Sequence, residues 1–341
     1  MRKKIILEAS NIYSGGGLVL LKLLLEEIQF KNVDAIIYLN YNHVINEIEK
    51  EGYKNLEIKK STFKSTIVRY FKKRSNVVFL CNLPPFFKNK RSSLVFYNEL
   101  FFKKKNLLTA SGIKFQFYNL WFRLFCNNVD RVLVQSPHIE KLINKKTRCR
   151  NVINIPIYKK FNKTISVDKK YDFCYVSSGA PHKNHAKLFH AISILNAQGH
   201  EPSVVLTIPK TEKKLIESLH ELNKKNNNKI VNLGYIDNSE IEQVYSESSC
   251  LIFPSIAEAF GMPLIEAHDL GLRVLVSDLP YAYDVFEKVE TFNPKDALSI
   301  AEKMKAFLDG DLNGKEQISK VENKLDEYVN ILLESKNEDD Q

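Results

Sequence analysis

The 341-residue sequence predicts an α/β protein of two Rossmann-like domains, each built on a parallel sheet. Three observations carry that expectation. Short apolar runs alternate with longer amphipathic stretches along the whole chain, which is the rhythm of βαβ units. Each half opens with an apolar run and a turn of small residues, Gly15-Gly16-Gly17 in the first and Ser177-Ser178-Gly179 in the second. Between the halves, residues 155–170 carry Pro156 and scattered charge without periodicity, and read as a connection. The domains expected are therefore 1–160 and 161–312, followed by a C-terminal helix within 313–341.

Residues 5–9 form the first strand, and the glycine triplet leads into an apolar helix over 18–28. Glycines let a backbone approach a ligand, with the helix N-terminus behind them. The triplet is not Gly-x-Gly-x-x-Gly, so a tight turn without a ligand stays open beside a phosphate-binding one. Strands follow at 35–39, 77–80 and 94–97, with a helix at 43–50. The last two strands end in Cys81-Asn82-Leu83 and Asn98-Glu99, on the edge where parallel sheets bind ligands. Residues 115–127 form an aromatic helix whose Trp121 and Phe side chains read as core. A strand at 131–134 precedes His138, which reads as a solvated or packed histidine.

The second half has strands at 171–176, 204–208, 230–233, 250–253, 274–276 and 289–292, with a helix at 186–196 and an amphipathic tail helix at 315–335. The most informative stretch is Pro254-Ser255-Ile256-Ala257-Glu258-Ala259-Phe260-Gly261-Met262-Pro263-Leu264-Ile265-Glu266-Ala267. It leaves a strand and enters a helix, with Pro263 suited to the first helical position and Gly271 to the residue past the end. The amides of Phe260, Gly261 and Met262 lie at that helix N-terminus and can donate to oxygens of a ligand. Glu258 and Glu266 frame the turn. Carboxylates beside oxygen-binding amides suit a ligand with several hydroxyls, because an ionised carboxylate only accepts hydrogen bonds.

The Glu-x7-Glu pair within Pro-Ser-x-x-Glu-x-Phe-Gly-x-Pro-x-x-Glu-Ala, followed by Gly271, Val274, Ser277 and Asp278, resembles the donor-site signature of retaining family-4 glycosyltransferases of GT-B fold. The likeness is dense over 250–284 and weak over most of the remaining chain. It implies two domains facing across a cleft, a terminal helix returning to the first domain, and transfer of a sugar from a nucleotide-sugar with retention of configuration. It places Glu258 at the donor sugar and Glu266 on the ribose hydroxyls of the nucleotide. Lys183 and Asn184, in Pro181-His182-Lys183-Asn184, match residues that meet the pyrophosphate. The arginine that usually accompanies that lysine has no counterpart, since Ser177 and Ser178 stand near its place. Gly15, Gly16 and Gly17 would face the donor phosphates or the acceptor. Asn98 and Glu99 stand near a position where several members carry a histidine against the sugar.

Composition narrows the partners. The chain is 44% hydrophobic and 26% charged, within the globular range. Five cysteines without C-x-x-C spacing read as buried thiols of a reducing compartment. Neither a signal peptide nor a membrane span is expected, which points to the cytoplasm. The net charge is +10. Basic clusters at Lys59-Lys60, Lys72-Lys73-Arg74, Lys88, Lys90-Arg91 and Lys103-Lys104-Lys105 are interleaved with Phe63, Phe71, Phe86, Phe87, Phe101 and Phe102. That pattern suits an anionic membrane surface, with peripheral attachment at its inner face. No nucleic-acid module is visible. No metal site or cofactor is expected, because His182 and His185 lack further ligands. The reaction implied uses a saccharide acceptor, lipid-linked, as in O-antigen or capsule assembly. Two alternatives stay open: a nucleotide-sugar epimerase or hydrolase of the same fold, and a non-catalytic subunit that binds a nucleotide-sugar.

Overall fold

Strands covered on both faces need apolar side chains at nearly every position, and the apolar runs of the first half meet that need. In a computed structural model, which describes residues 4–102, 110–161, 168–225, 227 and 229–334, they become parallel strands. The first series is β1 (Lys4–Glu8), α1 (Gly16–Phe30), β2 (Asp34–Leu39), α2 (Asn42–Lys50), β3 (Leu56–Lys60), α3 (Phe63–Tyr70), β4 (Ser75–Phe79), β5 (Lys90–Val95), α4 (Ala110–Phe125), β6 (Arg131–Val134), α5 (Pro137–Lys146) and β7 (Val152–Asn154). Among the described residues these strands form one parallel sheet in the order β3-β2-β1-β4-β5-β6-β7. The order reverses between β1 and β4, which makes that pair the switch point of the sheet.

The second series is β8 (Tyr171–Tyr175), α6 (His185–Ala197), β9 (Val204–Leu206), α7 (Lys213–Lys225), β10 (Ile230–Asn232), α8 (Asn238–Ser246), β11 (Ser248–Phe253), α9 (Met262–Asp269), β12 (Arg273–Ser277), α10 (Pro280–Val285), β13 (Phe286–Lys288), β14 (Glu290–Phe292), α11 (Ala297–Leu308) and β15 (Ile318–Ser319). Its main sheet runs β10-β9-β8-β11-β12-β14, all parallel, with the switch point between β8 and β11. A small antiparallel pair joins β13 to β15.

The chain divides into two units, Met1–Lys159 with Glu322–Gln341, and Lys160–Val321. The last helix, α12 (Leu325–Leu333), thus belongs with the first series. The reason lies in α1, which buries seven aliphatic residues and needs cover beyond the sheet. Tyr328, Val329 and Leu332 of α12 are buried in turn, and Lys31 pairs with Asp326. Asn323 binds back to the Tyr158 carbonyl at 2.7 Å. The tail helix is shorter than its sequence suggests, since 315–324 is not helical and β15 lies within it.

Three other readings need correction. β3 and β7 are strands that the sequence hides, because β3 is lysine-rich and β7 is three residues long at the sheet edge. The aromatic helix α4 is only half core. Phe122 is buried, but Phe117 faces solvent and Trp121 is half-buried. In the basic segment, Arg69 and Arg74 point inward to Glu8, and Phe101 and Phe102 are buried. Lys103-Lys104-Lys105 lie outside the described residues.

Candidate active site

The second switch point collects the strongest candidates. Lys183 sits in the turn after β8 and Glu258 in the loop after β11, so neighbouring strands deliver them to the same edge. The Lys183 Nζ donates to Glu258 Oε1 at 2.6 Å. Their side chains keep 16% and 13% of their surface exposed, so the pair is sheltered without being sealed. Sheltering matters because a single ion pair in full solvent contributes little.

A set of braces holds the two loops together. Ile256 N and Ser255 Oγ both donate to the His182 carbonyl, at 2.8 and 3.1 Å. Asn184 adopts a left-handed conformation at φ 62° and caps the start of α6. Its side-chain amide donates to the carbonyls of Pro254 (3.1 Å) and Pro294 (2.8 Å). Both amide hydrogens are thereby engaged, and Asn184 acts as a brace between loops. Tyr175 donates to the Lys183 carbonyl at 2.8 Å, and Tyr281 to the Ser255 carbonyl at 2.8 Å. Burial first, then the Glu258 charge, pushes the Tyr175 phenol well above its ordinary value, so it remains a donor. These tyrosines escape sequence reading because a lone Tyr in a βα unit is indistinguishable from core.

α9 starts beside Glu258. Gly261 caps it at φ 86°, a left-handed conformation that favours glycine, and an added Cβ would lie 3.0 Å from Leu264 Cδ1, a tight approach. Pro263 is the second helical residue rather than the first. The amides of Phe260, Gly261 and Met262 precede Leu264 N, which closes the first turn on the Gly261 carbonyl. Gly271 at φ 80° ends the helix as the sequence suggests. Glu266 lies in the second turn, buried, and accepts from the Tyr245 hydroxyl at 3.1 Å. Burial and then the Glu266 charge raise the Tyr245 phenol well above its usual range, which keeps the proton on the tyrosine oxygen.

His185 does not replace the missing arginine. It is buried, its Nε2 lies 3.0 Å from the Ser178 carbonyl and 3.1 Å from Ser177 Oγ, and burial lowers its pKa to about 4. The imidazole is neutral at pH 7. Among the described residues, no group of three or more His, Cys, Asp or Glu is placed to hold a metal. Asp309-Gly310-Asp311 is an Asp-x-Asp sequence just after α11, but Asp309 pairs there with Lys305.

In the first unit, Gly15 caps α1 with φ 63° and ψ −148°, a region close to glycine-only. Tyr97 lies near Gly17, 3.5 Å from where a Cβ would stand, and donates to the Leu80 carbonyl at 2.8 Å. The glycine turn, with Gly16 as first residue of α1, thus follows β1 at the first switch point. Asn98 and Glu99 follow β5, one strand further along, and Glu99 faces His138 at 3.8 Å. The cluster that sequence reading missed here is Glu8 with Arg69 and Arg74; its signal is an acid ending an apolar strand.

Comparison with known proteins bears on the family and the fold. The family model described as "Glycosyl transferases group 1" matches residues 157–328. The O-antigen chain mannosyltransferase RfbU of Salmonella typhimurium is 27% identical over 147 residues, 42% of this chain and 41% of the relative. The match thus spans about two fifths of that relative's length. Anabaena Alr3699/HepE in complex with UDP superposes with a TM-score of 0.66 at 12% identity, over 91% of this chain and 90% of that one. A glycosyltransferase from Rickettsia africae gives 0.68 at 16% identity, over 91% and 89%. At such identities the structural likeness speaks to the fold.

Proposed function

The chain belongs to the group 1 glycosyltransferases, of GT-B fold, and from that premise we propose that it is a retaining transferase moving a sugar from a nucleotide-sugar to a hydroxyl of a lipid-linked saccharide. The observation that carries this reading is the meeting of Lys183 and Glu258 at the second switch point, beside the start of α9. Both charges are partnered, yet each partner is exchangeable. A diphosphate can take Lys183 from Glu258, and sugar hydroxyls can then donate to the released carboxylate.

In the proposed reaction the bond between C1 of the sugar and the diphosphate oxygen breaks, and negative charge grows on that oxygen. Lys183 stabilises it. The acceptor hydroxyl attacks from the same face and gives its proton to the departing phosphate, so configuration at C1 is kept. Glu258 orients the sugar and forms no covalent bond. Glu266, fixed by Tyr245, accepts from the ribose hydroxyls, and the Gly261 and Met262 amides donate to donor oxygens. Gly15, Gly16 and Gly17 serve the phosphate or acceptor side, with Asn98 and Glu99 near the acceptor. No resident cofactor or metal is part of the proposal.

RfbU is named for O-antigen mannosyl transfer, and HepE was crystallised with UDP. These names support surface-polysaccharide assembly and a nucleotide-linked donor, and put mannose nucleotides first in a panel. A lipid-linked acceptor brings the work to the cytoplasmic face of a membrane, which suits the basic first unit. The test is turnover of a nucleotide-sugar panel with and without lipid-linked acceptor. Transfer only with acceptor is the expected result. Donor consumption without acceptor would favour the hydrolase or epimerase, and binding without turnover the non-catalytic subunit.

A further inference from the structure

Helix α4 presents an apolar stripe to solvent. Ile113, Phe117, Leu120 and Leu124 are 60%, 56%, 55% and 64% exposed. At about 100° per residue their spacing confines them to roughly 60° of arc. The opposite side is anchored, since Phe122 is buried with Phe96, Phe101 and Phe102 around it at ring distances of 5.2 to 5.7 Å. The stripe therefore belongs to a seated helix.

A second stripe runs along α3, where Phe63, Ile67 and Phe71 are also exposed. Aromatic contacts join the two. Phe71 stacks on Phe86 at 4.7 Å, and Trp121 touches Phe71 at 6.2 Å and Phe117 at 5.8 Å. The result is one ridge across two helices. Exposed apolar surface of this continuity marks a contact site.

Charge identifies the occupant. Residues 58–129 contain fifteen Lys and Arg and a single acid, Glu99, whereas the whole chain is only +10. Lys64, Lys72, Lys73, Lys88, Lys114 and Arg123 flank the ridge residues in sequence and are exposed. A second copy would oppose this charge with its own. An anionic bilayer neutralises it and offers an acyl boundary to the apolar side chains.

We infer that the α3–α4 ridge docks the protein on an anionic lipid bilayer, with Phe117, Leu120 and Leu124 entering the acyl boundary; this rests on the lipid-linked acceptor reading. Trp121 is the single tryptophan of the chain and lies within the ridge, so its fluorescence reports docking directly.

The test uses the full chain with vesicles of phosphatidylcholine alone or with equal parts phosphatidylglycerol, some carrying brominated acyl chains. Cosedimentation and quenching of Trp121 by brominated lipid are expected with the anionic vesicles, and little of either with the neutral ones. Phe117→Ser with Leu124→Ser should weaken partition about a hundredfold, and Lys72→Glu with Lys73→Glu about tenfold or more. All four positions are exposed, and thermal unfolding checks that each variant stays folded, since Phe117 also packs on Trp121. Absence of vesicle binding, equal binding to both vesicle types, or full binding by the apolar variant would overturn the inference. So would a wild-type dimer that the apolar variant dissociates, because the ridge would then be an interface between copies. Nucleotide binding measured without lipid tests the transferase reading separately.

Discussion

Each unit places a charged cluster at the switch point of its main sheet, and these two clusters differ in how they are closed. In the first unit, Glu8 is 0% exposed. Arg69 grips it through Nε at 2.7 Å and Nη2 at 2.9 Å, and Arg74 adds a contact at 3.3 Å. The Arg69 guanidinium also stacks 4.1 Å over Tyr38 and binds Ser10, Ser61 and Thr66. Such a network locks β1 to α3. In the second unit, Lys183 and Glu258 share one contact and retain access to solvent. A closed cluster fixes structure; an open pair can trade each partner for a ligand. The two clusters therefore differ in the burial of the acid and in valence, since the Arg69 and Arg74 side chains are about as accessible as Lys183.

That contrast predicts a ranking. The largest effect on stability belongs to Glu8→Ala, which leaves two guanidinium groups inside without their acid. Losing one partner of a buried pair costs about 3–5 kcal/mol. Urea unfolding should show a loss of that order, and a loss below about 1 kcal/mol would mean that water already reaches the cluster.

Acid tests the second unit at His185. Its pKa of about 4 when folded lies below the ordinary 6.5, so between these values the unfolded chain binds the proton and the folded one does not. Stability is full above pH 6.5 and falls as pH drops toward 4, by about 3 kcal/mol in all. His185→Gln should flatten that part of the profile. An identical acid slope in the variant would show that the histidine is not the titrating group.

Smaller still is Glu266→Ala. Losing a charge-assisted hydrogen bond is worth about 1.5–3 kcal/mol, roughly ten- to a hundredfold in nucleoside diphosphate affinity. Because Glu266 also holds Tyr245, Glu266→Gln is the companion that keeps the packing. Calorimetric titration showing unchanged affinity in a folded Ala variant would remove Glu266 from the nucleotide site.

The same contrast explains what sequence could reveal. The second unit was readable because its chemistry is local: Pro-Ser, Phe-Gly-x-Pro and the two glutamates lie in one strand–loop–helix passage. Lys183 was readable from its turn, although only the fold shows it paired with Glu258. Asn184 could be placed but not understood, since its bonds to Pro254 and Pro294 join distant segments. The first unit was readable in rhythm more than in detail. Periodicity found most strands but could not separate Arg69 and Arg74, which face inward, from Lys72 and Lys73, which face out. Nor could aromatic content tell the buried side of α4 from its exposed stripe, because Phe117 and Phe122 are the same residue type on opposite faces.

In the proposed reaction the open pair in the second unit is the transferring site. The most direct test is steady-state release of nucleoside diphosphate from the active donor, comparing wild type with Lys183→Ala and with Glu258→Gln. Removing one group that stabilises developing charge typically lowers turnover about 10²–10³-fold. A fall of that size in kcat is expected for Lys183→Ala, with unfolding little changed, because in the proposed reaction Lys183 acts on the diphosphate as its charge develops. Undiminished kcat in the folded Lys183→Ala variant would contradict it.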